Sequence, residues 1–148
     1  MDSYKVGFIS GVFDMFHIGH LNLIRHAKAF CDRLIVGVYS DSTVESYKYR
    51  RPVINEHDRR EIVDAIKDVD FAVICETRDK MQLWKEYHFD AVFVGDDWKG
   101  SEHWNMFEKR LSEVGVPVKY LPYTKGISSS LLRKQLESQP ESGKQKTP

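Results

Sequence analysis

The sequence predicts an α/β protein: a doubly wound parallel sheet of about five strands between helices, in three α/β/α layers. Three observations predict it. Short apolar runs rich in β-branched and aromatic residues alternate with helical patterns along the chain. The runs are continuous enough to be buried on both faces, as strands of a helix-covered parallel sheet are. Most glycines and the densest groups of His, Lys, Arg and Ser follow these runs directly. That arrangement is Rossmann-like, with ligands expected beyond the carboxyl ends of the strands, where strand order reverses.

In chain order, the first strand is expected over residues 5–10 and the first helix over 19–30. A second strand, 33–39, leads into a basic segment, 41–52, read as a loop. A helix over 56–66 is opened by Asn55, with Glu56 and Asp58 placed to favour its positive first turn. Strand 71–75, helix 80–87, strand 91–94, helix 101–114 and strand 116–121 follow. A last helix is expected near Ser128, a capping residue, running through Leu132 and Leu136. From Gln139 the composition is polar with no apolar residue, so residues 1–138 are expected to form one domain and 139–148 a disordered tail.

A chain of 148 residues fits a single core. Lys plus Arg, 22, equals Asp plus Glu, 22. That balance argues against a nucleic-acid or membrane-surface binder relying on bulk charge, so any basic site is local. The start lacks a signal-peptide pattern and no apolar run approaches the ~20 residues of a membrane span, which predicts a cytoplasmic protein without membrane insertion. Cys31, at a helix end, and Cys75, in a strand pattern, are expected to be free thiols.

The strongest chemical signal is Gly11-Val12-Phe13-Asp14-Met15-Phe16-His17-Ile18-Gly19-His20. Gly11 lets backbone approach a ligand, and the uncapped amides of the following helix favour an anion. His17 and His20, three apart, project from one helix face, where two imidazoles donate to one phosphate and stabilise charge growing in a pentacoordinate transition state. A single such histidine reads better as a surface or capping residue; the pair, after a glycine turn on the ligand edge, favours function. A zinc site is the weaker reading for want of a third ligand, so no metal is assigned to side chains. The Gly-x-Gly-x-x-Gly dinucleotide fingerprint is absent.

Three more segments fall on the same edge. Tyr47-Lys48-Tyr49-Arg50-Arg51-Pro52 is by itself a solvated charge run, but its place puts Lys48 and Arg50 within reach of phosphates. Arg59 and Arg60 follow in the next helix, one expected to face the site and the other solvent. Gly95-Asp96-Asp97-Trp98-Lys99-Gly100 offers carboxylates and an indole to a ribose, a base or a partly hydrated magnesium ion; equally, its acids cap a helix and Trp98 is core. Thr124-Lys125-Gly126-Ile127-Ser128-Ser129-Ser130 brings hydroxyls and amides to a helix start, either a second anion cradle or a plain cap.

These residues resemble the cytidylyltransferase family, most closely the bacterial glycerol-3-phosphate cytidylyltransferases. The resemblance runs from the first strand to the last helix and rests on Gly-x-Phe-Asp-x-x-His-x-Gly-His at Gly11 to His20, on Gly95-Asp96-Asp97-Trp98 and on Gly126-Ile127-Ser128. It implies transfer of CMP from CTP to a small phosphorylated alcohol, giving CDP-glycerol and pyrophosphate by direct attack, with magnesium and as a homodimer. It implies that His17 and His20 bind the α-phosphate and form a catalytic set with Lys48 and Arg59. Gly11, Val12, Phe13, Ile18 and Gly19 would line the nucleotide, Arg50 support the triphosphate, and Asp96 and Asp97 lie near the cytidine. Thr124, Gly126, Ile127, Ser128 and Ser129 would hold the β- and γ-phosphates, and Asp14, Lys48 and Lys67 meet the acceptor.

Departures from that pattern bear on the acceptor. Tyr123 stands where Arg is usual, Lys125 for Glu, Arg50 for Lys and Lys67 for a helix Arg; Lys and Arg are not interchangeable at bidentate sites. Phosphocholine and phosphoethanolamine enzymes share the motifs, and Phe16, Tyr47, Tyr49 and Tyr123 could supply the aromatic cage a quaternary amine wants. An adenylyltransferase of the same superfamily and a nucleotide-binding module without turnover are the rival readings.

Overall fold

The computed structural model describes residues 3–138, and the tail expected at 139–148 lies outside them. Strands β1 (Tyr4–Gly11), β2 (Cys31–Tyr39), β3 (Phe71–Cys75), β4 (Ala91–Gly95) and β5 (Val118–Leu121) form one sheet in the order β3-β2-β1-β4-β5, every pair parallel. Six helices alternate with them: α1 (Ile18–Lys28), α2 (Asp41–Lys48), α3 (Glu56–Asp64), α4 (Lys80–Tyr87), α5 (Glu102–Ser112) and α6 (Ser129–Ser138). The doubly wound architecture is the expected one.

Side chains of β1 alternate between two cores, as the strand period of two requires. Ile9 packs with Ile24, Ala27, Val36, Val63 and Phe93 on the face covered by α1 and α3. Its neighbour Phe8 packs with Val44, Leu83, Phe89, Val92 and Leu111 on the face covered by α2, α4 and α5. Burial of both strand faces explains why the runs read as continuously apolar. Because the chain builds β2 and β3 on one side of β1 and then β4 and β5 on the other, a crevice opens over the carboxyl ends of β1 and β4.

Most boundaries fall within two residues of expectation, with two corrections of substance. Residues 41–48, expected as loop, form α2. Its eight residues hold Ser, Thr, Val and Tyr and show no apolar period, so propensity gives no warning. Tertiary and capping contacts make it: Ser40 Oγ accepts from the Thr43 amide (3.1 Å), and Val44 is buried. Asp41 and Glu56 also exchange amide-to-carboxylate bonds (2.9 and 3.3 Å) that lock the starts of α2 and α3 together. The second correction is Cys31, which opens β2 rather than ending a helix; it and Cys75 are free and buried. β5 starts at Val118 rather than 116, since Pro117 has no amide for the ladder. Among the described residues no helix is long and apolar enough to cross a membrane.

Candidate active site

A cavity of about 850 Å³ occupies the crevice, with Ser10, Gly11, Val94 and Gly95 at the strand ends among its lining. The chain leaves β1 under strain: Phe13 (φ 54°) and Met15 (φ 48°) both adopt the left-handed conformation, costing on the order of 1–3 kcal/mol each. Asp14 between them holds it. Its carboxylate, 1% exposed, accepts from the amides of Val53 (2.8 Å) and Ile54 (3.0 Å) and from Arg133 Nη2 (3.2 Å), while its carbonyl accepts from the Ser129 hydroxyl. The turn is thereby tied to the loop before α3 and to α6.

The two histidines cap α1 themselves. His17 Nδ1 accepts from the Gly19 amide (3.1 Å) and His20 Nδ1 from the His17 amide (3.2 Å), a capping box made of imidazoles. A nitrogen that accepts carries no proton, so each neutral ring has its N–H at Nε2. The rings stack with centroids 3.7 Å apart, and His17 Nε2 is buried with no partner among the described residues. Burial lowers the pKa of His17 and, with the His17 ring adding, pushes that of His20 down to about 3. The pair is neutral at physiological pH and presents donors without charge. Gly19 is what lets the His17 ring fold back: a Cβ there would stand 2.9 Å from His17 Cε1.

Around this pair the cavity gathers Lys48, Arg50 and Arg133 from α2, the residues after it and α6. Desolvation, then Arg133, Arg50 and Arg78, lower the pKa of Lys48. Like cations crowded together in this way favour an anion among them. Opposite, Thr124, Ile127 and Ser129 line the cavity; Thr124 is fixed by Asn22 of α1 (3.1 Å), while Ser128 Oγ is spent on the Leu131 amide as a helix cap (3.0 Å). Gly126 turns with φ 86° between them. Asp97 also lines the cavity, its pKa raised by burial, and Asp96 accepts from the Tyr123 amide (3.2 Å), joining the β4 and β5 loops. Trp98 is half exposed at the rim rather than core.

Several expected site residues lie elsewhere. Arg59, assigned to catalysis, is 1% exposed and does not reach the cavity. Its guanidinium donates to the carbonyls of Val12, Tyr39 and Ile54 (each 2.8 Å) and to Asp41 Oδ1 (2.7 Å). It is a positioning residue, pinning the ends of β1 and β2 and the start of α2. Arg60 faces neither site nor open solvent; it donates to the Ala72 carbonyl (3.1 Å). Lys67, assigned to the acceptor, is exposed in the turn before β3, at the amino end of the sheet and away from the cleft. Asp14 lines the cavity, but its carboxylate is taken up by the three internal donors. Ile18 is half exposed, and it, Gly126 and Asp96 stay outside the lining.

The structure adds residues that the sequence left unmarked. Glu76 to Lys80 is the one segment after a strand that drew no functional reading, and its Arg78 and Lys80 line the cavity with Tyr39 of β2 and Trp104 and Phe107 of α5. Their position after β3 was the signal available. Arg133 had none, being one cation on an amphipathic last helix.

The model of the cytidylyltransferase-like family matches residues 8–135. The bifunctional protein HldE of Caulobacter vibrioides is 39% identical over 95 residues, 64% of this chain and 20% of its own length. That of Koribacter versatilis is 33% identical over 124 residues, 83% of this chain and 25% of its own. This chain thus spans about a fifth to a quarter of the length of these curated relatives. The solved lipopolysaccharide core biosynthesis protein of Thermoplasma volcanium GSS1 is 27% identical, with a TM-score of 0.69 over 84% of this chain and 100% of that one.

Proposed function

This chain belongs to the cytidylyltransferase-like family of nucleotidyltransferases, and on that premise we propose that it transfers CMP from CTP to a small phosphorylated alcohol, glycerol 3-phosphate being the first acceptor to try. The observation that carries nucleotidyl transfer is the histidine pair, two neutral imidazoles whose backbone partners force both N–H groups to Nε2 in a cation-lined cleft; the choice of CTP rests on its pairing with Gly95 to Trp98 and Thr124 to Ser130.

An acceptor phosphate oxygen attacks the α-phosphorus of CTP, the bond from that phosphorus to the α,β-bridging oxygen breaks, and its electron pair leaves with pyrophosphate. Charge on the equatorial α-oxygens peaks between the two, where donors already in place need no reorganisation. His17 and His20 supply those donors, and Lys48 at the end of α2 draws the acceptor phosphate toward the nucleotide. Thr124 and Ser129 at the start of α6 receive the β- and γ-phosphates, with Arg50 and Arg133 neutralising them. Asp97, with Asp96 bracing the loop, faces the cytidine. Among the described residues no three His, Cys, Asp or Glu side chains stand together as metal donors. In this reading magnesium would come with the triphosphate and would supply neutralisation of the charge leaving with pyrophosphate. The same reading carries a cytosolic homodimer, checked by analytical ultracentrifugation.

The bifunctional HldE relatives favour a second reading, transfer of AMP from ATP to a sugar phosphate. Pyrophosphate release measured with CTP, ATP, GTP and UTP, each with magnesium and a panel of alcohol and sugar phosphates, separates the two. CTP with an alcohol phosphate is the expected pair; a clear preference for ATP selects the second reading. Nucleotide binding without pyrophosphate from any pair rejects both in favour of a non-catalytic module.

A further inference from the structure

Asn22 stands on α1 two residues after His20 and takes no part in the lining of the cavity. It is half-buried, and its side-chain Nδ2 donates to Oγ1 of Thr124 (3.1 Å), which does line the cavity, across 102 residues of sequence. A second contact joins the same two segments: Ile127 Cγ2 lies 3.5 Å from where a Cβ on Gly19 would stand. The helix that carries both histidines therefore also holds the loop after β5.

The direction of the Asn22 bond matters, because ionised phosphate oxygens only accept. A hydroxyl has one proton to give and an oxygen that accepts. The Ser129 hydroxyl gives its proton to the Asp14 carbonyl and so meets a phosphate only through its amide, which in the first turn of α6 has no helical acceptor. Ser128 Oγ accepts from the Leu131 amide in capping the same helix. Thr124 is filled from another element: its oxygen is occupied by the Asn22 amide, and its proton is left for an acceptor in the cavity. A hydroxyl already accepting is the more polarised donor, and a donor to a charged oxygen makes the stronger bond.

We infer that Asn22 is a positioning residue of the reaction: it points the Thr124 proton at the phosphates beyond the α-phosphate and sets the place of that donor relative to the histidine pair. The inference rests on the nucleotidyl-transfer reading above and adds to it a residue outside the cavity. The β- and γ-phosphates are held before transfer as well as during it, so loss of Asn22 acts on triphosphate binding more than on turnover.

The test is calorimetric binding of CTP, ATP, CMP and AMP to the full chain and to its Asn22→Ala variant, with kcat and nucleotide KM measured alongside. Affinity for the preferred triphosphate should fall about tenfold and that for its monophosphate should stay within about twofold, with kcat changed less than KM. A merely structural loss weakens both nucleotides alike; that outcome, or an unchanged triphosphate affinity, overturns the proposal. Asn22→Asp should bind the triphosphate more weakly than Asn22→Ala, because a carboxylate only accepts and draws the Thr124 proton away from the phosphates. Equal or tighter binding by Asn22→Asp overturns the assigned direction of the bond. In a Thr124→Ala background, Asn22→Ala should have no further effect beyond about twofold; the full loss there means that Asn22 acts elsewhere, and overturns its role. If the wild-type chain releases no pyrophosphate from any nucleotide and acceptor, it is the transfer reading that fails. The triphosphate and monophosphate affinities then still decide the role of Asn22, and a chain that binds no triphosphate overturns both.

Discussion

One cleft holds titratable nitrogens at its two ends by opposite means. At the α1 end, His17 and His20 are fixed by bonds spanning two or three residues, backbone amide to Nδ1, and are kept uncharged with their protons on Nε2. At the β3 end, Lys80 is fixed by partners 41 and two residues away and by rings from β2 and α5, an ammonium kept close to neutrality by burial. The first end is a local device carried by a short peptide. The second exists only where distant elements meet. The histidine pair thus sits in contiguous sequence, while the cationic, aromatic end of the cleft is assembled from scattered residues.

The sharpest way to break the first end is His17→Ala. Turnover should fall about 1,000-fold, with nucleotide affinity changed far less, because a transition-state donor is removed. Equal losses in kcat and in affinity would mean that the ring only binds. Arg59→Lys attacks the frame that both ends share. Shortening the fork strands buried carbonyls and Asp41, so urea unfolding should show a loss of about 3 kcal/mol. A variant as stable as the wild type but inactive would return Arg59 to the catalytic set. Gly19→Ala tests whether the His17 ring must fold over the helix start. Displacing it should cost about 100-fold in kcat with little change in the melting temperature, since misplacement of a donor by about 1 Å is enough.

The two ends also differ in the pH range over which they govern stability. The folded pKa of His20 is about 3 against an ordinary 6.5, so the unfolded chain binds the extra proton between those values. Stability is fully present above 6.5 and is lost as pH falls toward 3. For Lys80 the corresponding window runs from 10.5 down to about 7, again with stability rising as pH rises. Thermal melts across pH should therefore flatten in the acid window for His20→Asn and in the alkaline window for Lys80→Met. A variant that keeps the wild-type slope in its own window would remove that group from the account. The smallest effect expected is Asn22→Ala, which frees Thr124 from α1 and should cost about 1 kcal/mol, read by urea unfolding.

Some of this molecule was open to reading from its residues in order. Alternation of buried strand and amphipathic helix is a local periodicity, so the doubly wound sheet and its ligand edge followed without knowledge of any contact. The turn from Gly11 to His20 was legible for the same reason: its spacing, its glycines and its capping bonds all lie within ten residues. The β5 side was legible in outline, through Thr124 and the serines that open α6. Helix α2 was not, because its stability comes from Ser40, Val44 and the exchange with Glu56 rather than from its own propensities.

What tertiary structure alone decided was the direction in which each charged side chain points. Arg59 and Arg60 are adjacent in one helix, and only the packing of α3 shows that both are consumed by carbonyls of neighbouring strands and loops. Lys67 and Lys80 flank the same strand in sequence, yet one lies at the amino edge of the sheet and the other inside the cleft. A strand carries its ends about 3.3 Å per residue apart, so five residues of β3 are enough to divide the exterior from the site. Periodicity records which face of an element is apolar. It does not record which neighbour that face will meet, and the end of the cleft around Lys80 is made of such meetings.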